Sequence, residues 1–265
     1  MDKVKTHYSK TFTKAVYNIS MPELVKVVFD IPVNDSFDYI SDNEKVKIGS
    51  RVRVSFGHAT RIGVIIDVIT VENKQQKYKL KKIDEIIDKV PILSKEMFKT
   101  CKWAASYYHY PLGQVIFSAM TPLHRKQRKE PTSSIGIQCN ESDKELTLNS
   151  DQKRIYSSLI KDKDNFKVNV IRGVTGSGKT ELYVKLAHRC IEEDLQVLVM
   201  VPEINLIPQT IERFQKYLKV IPLQYHSNLT PTQKYKVWKA CSTEKKFIVI
   251  GTRSSIFLPF KKLGL

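Results

Sequence analysis

The sequence predicts an α/β protein in two unlike parts: a small β-rich N-terminal domain, then a lobe built on a parallel sheet around a phosphate-binding loop. Three observations carry that prediction. Short β-branched runs broken by Pro, Gly and Asn-Asp fill residues 24–70. From about residue 147, continuous apolar strands alternate with helices, the pattern of a parallel sheet covered on both faces. Within that second part, Gly173–Thr180 forms a glycine loop with an apolar run before it and an amphipathic helix after it.

Taken in order, residues 1–20 are basic and lack periodicity, so they are expected to form a flexible extension. The texture changes at Met21, where a domain spanning 21–126 begins. VKVVFDIP, RVRVSFG and RIGVIIDVIT supply its strands, and the run from KLKKIDEII adds one more with helical segments to cover it. Leu93-Ser94 before Glu96–Tyr107 predicts a capped amphipathic helix. Residues 127–146 are polar, with Pro, Ser, Gly and Asn, and read as a linker. In 147–265, strands are expected at Phe166–Arg172, 196–201, 220–225 and 247–252. Helices are expected at Glu181–Glu193, Pro208–Leu218 and Thr230–Cys241.

The bulk numbers set the class. A chain of 265 residues, 42% hydrophobic and 27% charged, suits one large or two moderate soluble domains. No apolar run reaches the roughly 18–20 residues that span a bilayer, and the first 20 residues lack a secretory apolar stretch. Cys101, Cys139, Cys190 and Cys241 lie far apart without a C-x-x-C pair, which argues for reduced thiols and against a zinc site. A cytoplasmic protein with no membrane partner is expected. The net charge of +17 resides in both expected folded parts, +5 over 21–126 and +10 over 147–265. Such an excess suits a polyanion, although a basic balance also occurs in proteins that bind none.

Gly173-x-x-x-x-Gly178-Lys179-Thr180 is a complete Walker A loop. Glycines, Gly176 among them, let successive backbone N–H groups, including those of Thr175 and Ser177, turn toward phosphate oxygens. The helix N-terminus adds partial positive charge. Lys179 is expected to reach the β- and γ-phosphates of ATP, and the Thr180 hydroxyl to join the Mg²⁺ shell. Gln152, just before a helix in TLNSDQKRIY, has an amide that can both donate to and accept from an adenine edge, but an exposed glutamine at a helix start needs no ligand. VPEINLIPQT and GTRSSIFLPF follow two of the strands. Their Ser, Thr, Arg and backbone amides, Thr252, Arg253 and Ser254 among them, would sit at the crevice beyond the C-terminal strand ends and suit the phosphates of a nucleic-acid strand.

GVTGSGKTELY, LVMVPEINLIPQT, the HSNLT segment through Trp238 and IVIGTRSSIFLPFKKLGL resemble the first motor lobe of the primosomal replication-restart helicases, the PriA family within superfamily two. PELVKVVFDIPVNDSFDYI, RVRVSFGHATRIGVIIDV and WAASYYHYPLGQVIFSAMTP resemble the same family's N-terminal DNA-binding domain. The likeness covers roughly residues 22–265 with a gap at the linker. It implies a β-rich DNA 3′-end-binding domain followed by an incomplete RecA-like parallel α/β P-loop lobe. It also implies that Phe37, Asp38 and Tyr39 form the end pocket, with Asp38 accepting from the terminal hydroxyl, Gly57 beside the end and Lys81 as a basic contact. From the residues alone, Phe-Asp-Tyr reads better as a strand with one polar residue turned outward, and only the resemblance reverses that preference.

The activity so implied is ATP-dependent 3′-to-5′ DNA unwinding in replication restart. The implied partners are forked DNA with a 3′ end, single-stranded DNA, single-stranded-DNA-binding protein and primosome proteins, met by a monomer. Three departures qualify it. The linker is too short for the family's winged helix. The chain stops at Leu265, where the family would continue into a strand ending in Asp-Glu-Glu-His. The second lobe, with its arginine finger and zinc-binding cysteines, does not follow. The chain is therefore expected to grip nucleotide weakly and hydrolyse it hardly at all. A catalytically idle DNA-fork-binding or scaffolding protein is the alternative. A different P-loop enzyme would need an acid at a strand end, a place open only to Glu203.

Overall fold

The computed structural model describes residues 23–41, 46–70, 80–126, 131, 135, 146–161 and 165–265. The expected extension at 1–20, Cys139 and most of the expected linker at 127–146 lie outside the described residues.

Alternating β-branched residues build the first part. β1 (Glu23–Val28) pairs antiparallel with β2 (Phe37–Ser41) and with β4 (Ala59–Thr70). β3 (Arg51–Phe56) pairs antiparallel with β4 and with β5 (Lys81–Ile86). A parallel β2–β5 pair closes the barrel in the order β1-β2-β5-β3-β4, which leaves no exposed sheet edge. Register shifts at Lys26/Val27 and Arg53/Val54 let strands bend around so small a circumference. Val25, Val27, Phe29, Tyr39, Val52, Val54 and Ile65 fill the interior.

The outer face of β1 and β4 is covered by helices. The Ser94 hydroxyl accepts from Met97 N at 3.1 Å and starts α1 (Lys95–Tyr107). Met97, Cys101 and Ala104 fall on one face of it and are buried. α2 (Leu112–Ala119) adds Ile116 and Phe117 to the same cluster, with Val28 and Val64 of the barrel. Gly113 permits the contact, because a Cβ there would stand 2.0 Å from the Phe29 carbonyl oxygen. The short α3 (Pro122–Arg125) follows, capped by Thr121.

The second part has a three-stranded parallel sheet in the order β6 (Gln196–Met200), β8 (Phe247–Gly251), β7 (Leu223–Tyr225). Every residue of the middle strand β8 is buried, so its side chains serve two cores. Ile248 and Ile250 join α5 (Lys179–Glu192) and α6 (Leu206–Gln215), while Phe247 and Val249 join α7 (Pro231–Thr243). α4 (Ser150–Leu159) precedes the lobe with an Asn149–Gln152 capping box.

One expected strand is corrected. Phe166–Arg172 forms no strand and belongs to no sheet, and Phe166, Val168 and Val170 are 95%, 77% and 80% exposed. A strand needs a neighbour to accept and donate its ladder bonds. The outer side of β6 is instead bordered by the last residues of the chain. Gln196 N donates to Lys262 O, Gly264 N to Gln196 O and Leu198 N to Leu265 O, each at 2.8 Å. The loop at Gly173–Thr180 is therefore followed by a helix, as expected, but is not preceded by a central strand.

The two parts touch. Trp238 of α7 and Phe257, in a 3₁₀ turn at Arg253–Phe257, pack on the cluster formed by α1, α2 and the barrel. The His124 ring lies 4.4 Å from Trp238 and 5.2 Å from Tyr235, edge to face. Beneath it, buried Arg51 makes a two-pronged pair with Asp88 at 2.8 and 2.6 Å and donates to the His124 carbonyl at 2.7 Å. A cavity of about 540 Å³ opens at this seam, lined by Arg51, Asp88, His124, Trp238 and Lys261 among others.

Candidate nucleotide and nucleic-acid sites

Glycine chemistry shapes the phosphate loop. Gly176 (φ 82°) and Gly178 (φ 79°) occupy the left-handed region that side chains resist, and Gly178 caps α5. A Cβ on Gly178 would lie 2.3 Å from Gln152 Nε2. The loop's one turn bond runs from Ser177 N to Val174 O at 3.2 Å. Lys179 Nζ folds back across the loop, donating to Gly173 O at 2.7 Å and Val174 O at 2.9 Å. A cation satisfied by two carbonyls is already held over the concavity, where it can exchange them for anionic oxygens. The residues present thus fit a nucleotide phosphate chain, with the Thr180 hydroxyl beside it at the first turn of α5.

Gln152 meets this loop, although not as a free adenine reader. Its Oε1 accepts from Asn149 N at 2.9 Å and its Nε2 donates to Gly178 O at 3.2 Å. One donor and one acceptor position remain on the amide. Thr175 is exposed in the loop.

At the C-terminal ends of the parallel strands, Thr252 N donates to Tyr225 O at 3.1 Å and ties the end of β8 to β7. Arg253 and Ser254 begin the 3₁₀ turn and are exposed, while Thr252 is half-buried. Glu203 is exposed in the loop after β6.

On the barrel, the five expected end-pocket positions lie on neighbouring elements: Phe37, Asp38 and Tyr39 on β2, Lys81 on β5 and Gly57 in the β3–β4 turn. Tyr39 is the register partner of Lys81, and Lys81 Nζ reaches Gly57 O at 3.5 Å. Asp38 faces outward and pairs with Lys26 at 3.2 Å, a cation the sequence did not single out. The aromatic residues are a correction. Tyr39 is 4% exposed, its hydroxyl donates to Ser55 O at 3.2 Å, and its ring packs edge-on to Phe29. Phe37 packs against Phe29 and Phe56. The strand's period of two turns both rings inward as core, so Tyr39 cannot stack a base without leaving the barrel interior.

Sequence reasoning also missed two features. Trp103, Tyr107 and Tyr108 form an exposed aromatic cluster at the end of α1, with Trp103 and Tyr107 stacked at 5.1 Å. Their i, i+4 spacing is the available signal, obscured because it coincides with an ordinary amphipathic helix. Arg213 Nη1 of α6 lies 3.4 Å from Thr180 Oγ1, a pairing of distant segments with no local signature. Among the described residues, no cluster of three His, Cys, Asp or Glu is placed to hold a metal. No helix among them is long and apolar enough to cross a membrane.

Comparison with known proteins bears on both parts. Residues 26–121 match the family model of the PriA 3′DNA-binding domain (3′BD), and residues 149–264 that of the DEAD/DEAH box helicase. The chain is 30% identical over 317 residues to the replication restart protein PriA of Haemophilus influenzae, covering 91% of this chain and 43% of that protein. It is 34% identical over 238 residues to the protein of the same name from Rickettsia felis, covering 86% of this chain and 34% of that protein. Against the Bacillus subtilis protein it is 35% identical over 122 residues, 45% of this chain and 15% of that one. The chain thus spans less than half the length of these relatives.

Proposed function

The chain belongs to the PriA family of replication restart proteins, and from that premise we propose that it binds forked DNA at a 3′ end and binds ATP as the first lobe of a 3′-to-5′ DNA helicase. In this reading residues 21–126 hold the DNA end, 127–146 link, and 147–265 hold the nucleotide. Asp38 accepts from the terminal 3′-hydroxyl, Lys26 pairs with that carboxylate on the outer face, and Lys81 beside Gly57 serves a phosphate. Of the expected pocket, the polar members carry the recognition and the two rings support the strand that presents them. Thr252, Arg253 and Ser254 take phosphates of a single strand at the sheet's edge. The exposed Trp103, Tyr107 and Tyr108 offer partner proteins, such as single-stranded-DNA-binding protein or primosome proteins, an apolar docking surface. Such a protein works as a monomer in the cytoplasm.

The observation that carries the nucleotide half is Lys179 held over the glycine loop by two carbonyls, with Thr180 at the helix start. Residues Gly173 to Thr180 would hold the phosphates and Thr180 would contribute to the Mg²⁺ shell. The metal, when bound, supplies positive charge that offsets charge developing on the transferring phosphoryl group. What the protein's own groups do is grip and orient: backbone amides and Lys179 fix the phosphate tail, and Gln152 braces Gly178.

A second reading, a fork-binding scaffold that holds nucleotide without turnover, is favoured by one observation. The segment before the loop, Phe166–Arg172, lies outside the sheet, so the loop lacks a strand to brace it. Steady-state ATPase with forked DNA separates the two: turnover above about 0.1 per second, well within ordinary enzyme rates, would exclude the scaffold. The end-binding claim is tested by comparing forks with 3′-hydroxyl and 3′-phosphate ends. The wild-type chain should prefer the hydroxyl, and Asp38→Ala should lose the preference; an unchanged preference in the variant would remove Asp38 from the site.

A further inference from the structure

We propose that Arg213 is a second phosphate-binding cation of the nucleotide site, one that distinguishes a triphosphate from a diphosphate; this rests on the reading of Gly173–Thr180 as that site. Arg213 stands in the last turn of α6, and its neighbour Phe214 is buried in the core shared with α5 and β8. The anchor fixes the backbone of Arg213 in α6 while the side chain stays exposed and reaches the start of α5. Its guanidinium donates to the Thr180 hydroxyl at 3.4 Å. Among the described residues no carboxylate pairs with it, although arginines elsewhere in the chain do take carboxylate partners, as at Arg51 and Arg189.

The charge balance of the loop explains why a second cation is useful. Lys179 brings one positive charge, but Glu181 lies in the same first turn of α5, with Oε2 3.2 Å from where a Gly178 Cβ would stand. That carboxylate favours the helix N-terminus yet opposes an incoming anion. Magnesium-bound triphosphate remains negative, so one lysine offset by one glutamate leaves charge unmatched. The Thr180 oxygen that Arg213 now contacts is also the one expected to enter a Mg²⁺ shell. When it does, the guanidinium cannot keep that oxygen without facing the metal's charge. A long side chain anchored beside the hydroxyl would then be free to reach the oxygens of a γ-phosphate. A planar fork of donors suits such oxygens. A diphosphate lacks them, so the contact selects the triphosphate.

The test titrates the full chain with fluorescent ADP and with a fluorescent non-hydrolysable ATP analogue, each with Mg²⁺, reading affinity and not turnover. Arg213→Ala should weaken the analogue by about tenfold and leave ADP within about twofold, the loss of one charge-assisted contact. Arg213→Lys should recover part of the loss. Lys179→Ala should weaken both ligands, which reports on the site itself. If Arg213→Ala weakens both ligands equally, or tightens the analogue by freeing Thr180, the proposal is wrong while the loop assignment stands. If the wild-type chain binds neither ligand, or Lys179→Ala changes neither, the site reading fails and this inference falls with it. A melting curve for each variant identifies any that lose affinity by misfolding, and Arg213→Gln, which keeps a polar side chain and removes the charge, then decides.

Discussion

A single methyl group separates Gly178 from alanine, and the backbone leaves no room for it. With φ at 79° an L-residue pays roughly 1–2 kcal/mol, and its Cβ would push Gln152 Nε2 from the Gly178 carbonyl. Gly178→Ala is therefore expected to lower stability by about that amount and to weaken Mg-nucleotide binding in the same fluorescence titration; unchanged affinity would mean that the cradle does not need this geometry. His124 makes a different point, about protons. Burial, aided by the Arg51 charge and opposed by Asp88, pushes its pKa down to about 3. Above about pH 6.5 neither folded nor unfolded imidazole is charged, so nothing is lost. Below it the unfolded chain takes up a proton that the folded ring refuses until about pH 3. Stability should fall as pH falls through that window, with a limiting slope of about 1.4 kcal/mol per pH unit. His226, also lowered, acts in the same sense, so the comparison must isolate one ring. Urea midpoints at pH 7.5 and 5.5 should drop more for wild type than for His124→Asn; parallel drops would show that His124 is not held neutral.

Elements that depend on local chemistry were legible in the sequence. α1 was visible because Ser94 caps it and Met97, Cys101 and Ala104 repeat along one face. Ser94→Ala should cost about 1 kcal/mol in a denaturant melt, since the Ser94–Met97 bond has no substitute nearby. β8 was visible as a continuous apolar run, and all five of its residues are buried. Phe166–Arg172 alternates apolar with polar residues, as a half-buried strand would, yet it is not a strand in the structure. A strand is a relation between segments, and the outer side of β6 is bordered by Lys262–Leu265 instead. Nothing in the local run could signal that. The end pocket divides in the same way: the period of two that makes β2 a strand also sends Phe37 and Tyr39 inward, while the Lys26–Asp38 pair depends on the β1–β2 register. Hydrogen exchange makes the contrast measurable. Amides of Phe247–Gly251 should exchange slowest, and those of 166–172 should show little protection. Strong protection in 166–172 would mean that in solution it finds a ladder partner.

At the scale of the whole molecule, the sequence suggests two domains strung on a polar linker, and the structure shows them joined. The joint draws on Arg51, Asp88, His124, Trp238 and Phe257, residues so far apart in sequence that no window contains them. Trp238 is its centre, because it packs on the helical cover of the barrel and also on the α7 side of the sheet. The 3₁₀ turn that presents Arg253 and Ser254 ends in Phe257, which reaches the same cover. The edge of the lobe proposed to face DNA is thereby fixed relative to the barrel proposed to hold a DNA end. Large shared apolar contacts of this kind make two domains unfold together, whereas a flexible tether lets each melt alone. Trp238→Ala should remove about 2–4 kcal/mol and uncouple the halves, while Trp238→Phe should keep them coupled at a smaller cost. The composition supplies the probe: of the two tryptophans, only Trp103 on α1 then remains. Its fluorescence follows the barrel side, and far-ultraviolet circular dichroism follows all the helices. In wild type the two signals should melt together, and in Trp238→Ala they should separate. Coincident transitions in the variant would show that the barrel and the lobe are held together by contacts other than this joint.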